Sequence, residues 1–325
     1  MREDSTFLDQ FASEFGKINE ELGKALDSKV SLIEKVVSYS LLGGGKRLRP
    51  LFFILSCQLC DYDKSDMYPL SAIFECLHAA SLLHDDVLDN AAIRRGRSSA
   101  NRIWGNPAAV LVGDFLFSRS SRMAVEKKHI EFLKILADTA IRMTEGQMLE
   151  YMNTHNWNIT RKQYVGIIAS KTASLISAAC ASGAIVARAK QAHIQSLKNF
   201  GLNMGIAFQI VDDVFDYTST VEKTGKPIGN DLREGKITLP LIYTLTYLEK
   251  GERGKLEHLF KNGKASERDY VKIIELVQAN GAINQCAKDA QEYANLAEDC
   301  LSSFPDSPVK KSLLKLNQFI VDRGY

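Results

Sequence analysis

Two stretches of this 325-residue chain set three aspartates each inside otherwise apolar helical sequence: Asp85-Asp86-Val87-Leu88-Asp89 and Asp212-Asp213-Val214-Phe215-Asp216. In a helix, residues i and i+4 share a face and lie about 6 Å apart along the axis. Asp85 and Asp89 therefore stack with Asp86 beside them, and Asp212, Asp213 and Asp216 repeat the pattern. A solvated acidic face would have polar neighbours. Here Ala79-Ala80-Ser81-Leu82-Leu83 precedes the first triplet and Phe208-Gln209-Ile210-Val211 the second. Carboxylates so placed repel one another and are costly to bury uncompensated. A hard cation resolves the conflict. Oxygen-only ligands with no clustered His or Cys suit Mg²⁺, which keeps waters and substrate phosphate oxygens in its shell. One triplet alone reads as a surface face; two matching ones point to two helices holding metal ions.

Helical periodicity runs through most of the chain. Segments 70–90, 108–126, 130–152, 165–188, 194–217 and 237–249 repeat apolar residues at three- and four-residue spacing. Ala79-Ala80, Ala178-Ala179, Gly201 and Gly205 inside them allow close helix approach. Turn-rich breaks fall at Gly43-Gly44-Gly45, Arg95-Gly96-Arg97, Gly105-Asn106-Pro107 and 219–236. There is little sustained period-2 alternation, so strands are not expected. With no linker or composition shift, the expectation is an all-α bundle forming a single domain over residues 1–325.

A formal net charge of +2, with 45% hydrophobic and 25% charged residues, is that of an ordinary globular protein. It argues against nucleic acid as a partner and makes any strong field local. The start, MREDSTFLDQ, has early acids and no apolar core of a secretory signal. No apolar run approaches the roughly 20 residues of a membrane span, and a cytoplasmic protein is expected. Cys57-Gln58-Leu59-Cys60 has the spacing of a redox or zinc site. No second pair completes it, and its flanks read as buried helix, so the six cysteines are expected to be core residues in a reducing compartment.

Cations supply the other half of the pattern. Gly43-Gly44-Gly45-Lys46-Arg47-Leu48-Arg49-Pro50 is a flexible turn followed by three cations, without P-loop spacing. Arg94-Arg95-Gly96-Arg97 follows the first triplet, and Lys226 and Lys236 flank Asp231 after the second. Together they imply a polyanion held between metals and cations. No Ser-His-Asp or reactive-cysteine arrangement is present. A di-iron carboxylate bundle would need Glu-x-x-His pairs, which the aspartate motifs lack.

These residues follow a known family pattern in order: GGGKRLRP (43–50), LLHDDVLDN (82–90) with RRG (94–96), GDFLF (113–117), EGQ (145–147), KTASL (171–175), FQIVDDVFDYT (208–218), GKPIGNDLREGKITLPLIY (225–243) and VDRGY (321–325). The chain resembles the all-trans polyprenyl diphosphate synthases over most of residues 40–325. It is most similar to medium-to-long-chain members that make quinone side chains, such as octaprenyl diphosphate synthase. The resemblance implies helices packed antiparallel around a central cavity, a homodimer, and condensation of isopentenyl diphosphate with an allylic diphosphate. It implies that Asp85 and Asp89, with Asp86 assisting, bind Mg²⁺ on the allylic diphosphate, and that Asp212, with Asp213 and Asp216 near it, holds a further Mg²⁺. Arg94, Lys171, Thr172, Gln209, Lys226 and Lys236 match positions that contact the allylic diphosphate. Lys46, Arg49, His78 and Arg95 match those that bind isopentenyl diphosphate. His84, beside Asp85, is either a residue orienting a metal ligand or a packed neighbour.

Ala80 and Ser81 lie five and four residues before Asp85, about one turn below the metal face. Short-chain relatives carry bulky aromatics near this level, so small residues imply a deeper tunnel and a product longer than C20. Leu77, Phe74 or a side chain from 111–123 would form its floor. Two alternatives share parts of the pattern. A silent partner subunit would have lost the aspartates or cations, and a terpene cyclase has no second diphosphate for Lys46, Arg49 and Arg95 to hold.

Overall fold

A computed structural model describes residues 7–24, 27–126, 129–219, 228–261 and 264–322. The chain folds almost wholly into α-helices, in two compact units, one of residues 1–138 and 178–198 and the other of 139–177 and 199–325.

The first unit is organised by the Met67–Leu88 helix. Apart from the end that carries the aspartates, most of its residues are buried, on all sides, because Leu48–Leu59, Ala12–Lys24 and Asn106–Glu126 pack around it. That explains its apolar, Ala-rich sequence: a helix buried all round has no polar face to show. Pro69 sits in its first turn, where the missing N–H leaves no bond unmade. Phe53, Phe74 and Phe132 pack ring to ring, with centroids 5.5 to 6.1 Å apart. Gly183 is needed for close approach: a Cβ there would lie 2.5 Å from the Phe53 carbonyl oxygen. The CxxC pair behaves as core. Cys57 is buried, Cys60 half-buried, and burial pushes the Cys60 thiol up to about 11 and Cys76 up to about 12.

The second unit is built on a core of Trp157, Tyr217, Ile210, Val214 and Leu239. The Arg161–Ile168 helix starts at a full capping box: Thr160 Oγ1 accepts from the Gln163 N–H (3.2 Å) and Gln163 Oε1 from the Thr160 N–H (3.0 Å). A π-turn, Ala169–Ala173, follows. Gly205 lets residues 199–218 press onto that turn, since a Cβ there would stand 2.7 Å from Ala173 Cα.

Each expected helical segment is found: Met67–Leu88, Asn106–Glu126, Ile130–Met152, Arg161–Ile168 with Ser174–Val186, Gln191–Thr218 and Leu239–Tyr247. Four more follow, Lys250–Lys261, Glu267–Ala279, Ala282–Cys300 and Pro308–Asp322, whose polar outer faces hid them from a search for apolar runs. Gly281, at φ +83°, closes Glu267–Ala279 as a helix stop. One strand pair was not expected: Ile93–Arg94 against Arg97–Ser98. The turn residues Arg95 (φ +52°) and Gly96 (φ +72°) both take the left-handed conformation a tight hairpin needs. The membrane expectation also needs refining. Arg161–Val186 is long and apolar enough to cross a bilayer, but 67% of its most apolar window is buried within the protein.

Candidate active site

The first acidic motif ends the Met67–Leu88 helix, with Asp89 as its C-cap. Asp85 and Asp89 are half-buried and Asp86 is buried. Arg94 grips Asp86 Oδ1 through Nε (2.7 Å) and Nη2 (2.5 Å), while Asn101 Nδ2 donates to the Asp86 carbonyl (3.0 Å). The structure thus divides the triplet, tying Asp86 to the hairpin and leaving Asp85 and Asp89 as the stacked pair. His84 lies across the Asn106–Glu126 helix, its Nε2 3.3 Å from the Val110 carbonyl and 3.4 Å from Asp114. Gly113 makes this possible, because a Cβ there would meet the imidazole at 2.3 Å.

The hairpin is strapped to the glycine turn. Arg95 Nη1 donates to the Gly44 carbonyl, Arg97 stacks on the Tyr39 ring at 4.0 Å, and Tyr39 Oη donates to the Ser98 carbonyl at 2.7 Å. Tyr39, Gly43, Asp86, Arg94, Arg95 and Arg97 line a pocket at this junction. Lys46 is exposed and Arg49 half-buried in the first turn of Leu48–Leu59. Burial first, then the charges of Arg49, Arg95, Arg94 and Arg47, hold His78 well below the usual imidazole range. A neutral imidazole among four guanidiniums marks a locally positive site that an anion would complete. The structure therefore brings Lys46, Arg49, His78, Arg94, Arg95 and the first aspartates into one unit.

In the second unit the aspartates also differ. Asp212 is exposed. Asp213 is buried, accepting from Tyr164 Oη on Oδ2 (2.6 Å) and from Gln209 Nε2 on Oδ1 (2.7 Å). Burial is the main cause that pushes its carboxyl up to about 7. Asp216 accepts the backbone N–H groups of Asn230 (3.1 Å) and Asp231 (3.0 Å), capping the short Asn230–Arg233 helix. Asp231 is half-buried, and loss of hydration followed by the charge of Asp216 raises its carboxyl well above the usual range. Lys236 Nζ bonds Glu234 at 2.7 Å. Lys171 and Thr172 lie in the π-turn, half-buried, with Lys171 paired to Glu150. Gly146 allows this, since a Cβ there would come within 2.5 Å of the Lys171 nitrogen. Lys226 lies outside the described residues.

Ala80 and Leu77 are buried, and Ser81 folds its hydroxyl back onto the His78 carbonyl (2.9 Å). Sequence reasoning counted Arg47 among the three cations after the glycine turn without giving it a role of its own, and passed over Glu75 and Tyr164. Glu75 did carry a signal, as a lone acid in an apolar helix, which has to find a partner.

Among the described residues, no three carboxylate, imidazole or thiol side chains converge closely enough to hold a metal ion unaided. Half-buried Asp85 and Asp89 and exposed Asp212 fit a cation whose shell is completed by water and phosphate oxygens.

Two acidic helix ends, the first backed by Arg94, in a chain folded almost wholly into helices define the class: this is an isoprenoid synthase fold. The polyprenyl synthetase family model matches residues 30–277. The octaprenyl diphosphate synthase of Haemophilus influenzae is 35% identical over 310 residues, 95% of this chain and 94% of that one. The heptaprenyl diphosphate synthase component 2 of Geobacillus stearothermophilus is 32% identical over 314 residues, 97% of each. The polyprenyl synthase of Caulobacter crescentus, solved with calcium and isoprenyl diphosphate, superposes with a TM-score of 0.94 at 35% identity, covering 99% of this chain and 98% of that one. The chain belongs to the polyprenyl synthetase family. It is a prenyltransferase of the medium-to-long-chain, all-trans polyprenyl diphosphate type.

Proposed function

We propose that this protein uses Mg²⁺ to join isopentenyl diphosphate to an allylic diphosphate, extending the chain beyond C20 for a quinone side chain. The observation that carries the reading is the cation cluster around neutral His78, on the same helix as the Asp85 and Asp89 pair. One diphosphate is then held through metal and the other by cations alone. Asp85 and Asp89, with Asp86 steadied by Arg94, and Asp212, with Asp213 and Asp216 behind it, would hold Mg²⁺. The metal would neutralise the charge that builds on the departing diphosphate.

The chain's own residues do the rest. Lys171, Thr172, Gln209, Lys226, Lys236 and Arg94 hold the allylic diphosphate, with Lys171 exchanging Glu150 for phosphate oxygen. Lys46, Arg49, Arg95 and His78 hold isopentenyl diphosphate, so that its alkene meets the allylic cation. The apolar wall above Ala80 and Leu77 keeps water from that cation. Alkene attack leaves a tertiary cation on the isopentenyl unit; the carbon beside that centre then gives up a proton to the departing diphosphate, which restores the double bond.

Residues 1–325 act as one synthase domain, a reading supported by relatives matched over nearly their whole length. The protein works in the cytoplasm without nucleic acid, in keeping with its net charge of +2. A homodimer is supported by exposed apolar side chains on Asn106–Glu126, among them Leu111, 65% exposed, and Phe117, 43% exposed.

Purified protein given Mg²⁺, isopentenyl diphosphate and a farnesyl or geranylgeranyl primer should form products longer than C20 on chromatography. Chelation should abolish turnover, and Asp85→Asn should lower kcat by about a hundredfold or more. Products stopping at C15 or C20 would overturn the chain-length reading. A second reading comes from the Geobacillus relative, which is by name component 2 of a heptaprenyl diphosphate synthase. Under it the purified chain alone would show no turnover.

A further inference from the structure

Arg47 has no part in the roles above, yet all three of its guanidinium nitrogens are engaged. Its side chain is only 7% exposed. Nε donates to Asn19 Oδ1 (3.2 Å), Nη1 to the Gly44 carbonyl (3.1 Å) and to Glu75 Oε1 (2.9 Å), and Nη2 to the Leu41 carbonyl (2.6 Å). One guanidinium therefore joins the Ala12–Lys24 helix, the Ser38–Leu42 π-turn, the glycine turn and the Met67–Leu88 helix. Its backbone is left-handed (φ +50°), a strained state for a residue with a side chain, and it forms the N-cap of Leu48–Leu59. Lys46 precedes it directly, and Arg49 lies two residues on.

The second observation concerns Arg95. Its Nη1 donates to the same Gly44 carbonyl that Arg47 uses. Gly45, at φ +127°, lies between them. A Cβ there would come within 2.9 Å of Arg95 Nη1 and 3.0 Å of Arg47 Nη1. Two guanidiniums thus flank one glycine and share one oxygen. Like charges at that separation repel, and Glu75, 4% exposed and one turn before His78, supplies the offsetting charge.

We propose that the Arg47–Glu75 pair, with Gly45 as its spacer, is a positioning device that sets Lys46, Arg49 and Arg95 for the diphosphate of isopentenyl diphosphate. This rests on the reading of those cations and His78 as that substrate's site. Neither Arg47 nor Glu75 touches substrate. Their effect is selective because the turn they hold runs directly into Lys46 and Arg49, whereas Asp85 and Asp89, on the helix that carries Glu75, lie about three to four turns beyond it.

Three variants test it, each measured for KM toward both substrates and for thermal melting: Glu75→Gln removes the offsetting charge, Gly45→Ala forces the guanidiniums apart, and Arg47→Lys keeps the charge but loses the fork. The expected result is a rise of about tenfold in KM for isopentenyl diphosphate, with the allylic KM within about twofold. Arg47→Lys is the mildest and carries the test if the other two fail to fold. Unchanged KM values, or both rising together as the melting temperature falls, would overturn the proposal and leave the pair purely structural. Lys46→Ala and Arg95→Ala are the controls. If these too leave the isopentenyl diphosphate KM unchanged, the reading of the site itself fails, not the positioning.

Discussion

His78 has its protonation decided by its surroundings. Burial and the charges of Arg49, Arg95, Arg94 and Arg47 depress its folded-state pKa from the 6.5 of a free imidazole. Unfolding frees it to take up a proton below that pH, so the unfolded state binds more protons and stability falls as pH drops through 6.5. His78→Gln removes this linkage. Between pH 6.5 and 5.5 the wild type should lose up to about 1 kcal/mol more stability than the variant in denaturant titrations. Parallel curves would show that His78 protonates freely in the folded protein. The aspartates teach a related lesson. All six look alike in sequence, yet Asp86 is held by Arg94, Asp213 by Tyr164 and Gln209, and Asp216 by two backbone N–H groups.

At the scale of elements, the Met67–Leu88 helix combines two tasks along one axis: aspartates at its C-terminal end and small or apolar side chains one and more turns below. Ala80 and Leu77 are buried, and Phe74 lies deeper still, wedged between Phe53 and Phe132. If the product grows down this wall, Ala80→Phe or Ser81→Phe should shorten it and Phe74→Ala should lengthen it, read by product chromatography. An unchanged length distribution in all three would locate the floor elsewhere. The helix was legible because apolar periodicity persists through it. The hairpin at 93–98 was not, since two-residue strands leave no alternation to detect; its only trace was the Arg95-Gly96 turn. The π-turns Ser38–Leu42 and Ala169–Ala173 were equally invisible, although the second carries Lys171 and Thr172.

For the whole molecule, the Asn106–Glu126 helix is apolar on two sides. Ala109, Val112, Gly113 and Leu116 are buried beneath it, while Leu111 and Phe117 remain open to solvent. In the proposed homodimer a second copy of the chain would cover that outer side. Leu111→Glu should then move the protein toward monomer in sedimentation equilibrium. A dimer undisturbed by it would shift the interface to another surface.

The sequence by itself determined the all-α class and the main helices, and pointed to the proposed chemistry of diphosphate and hard cation, because these rest on periodicity and on charges that apolar helices carry only for a reason. It also located the cations, since Lys46, Arg49, Arg94 and Arg95 flank recognisable turns. Only the tertiary structure decided which aspartates are held in place by other side chains, which carbonyl Arg47 and Arg95 share, and why Gly45 and Gly113 have no side chain. Those facts depend on contacts between residues far apart in the chain, such as Asn19 with Arg47 and Tyr164 with Asp213. Local pattern carries no record of such contacts.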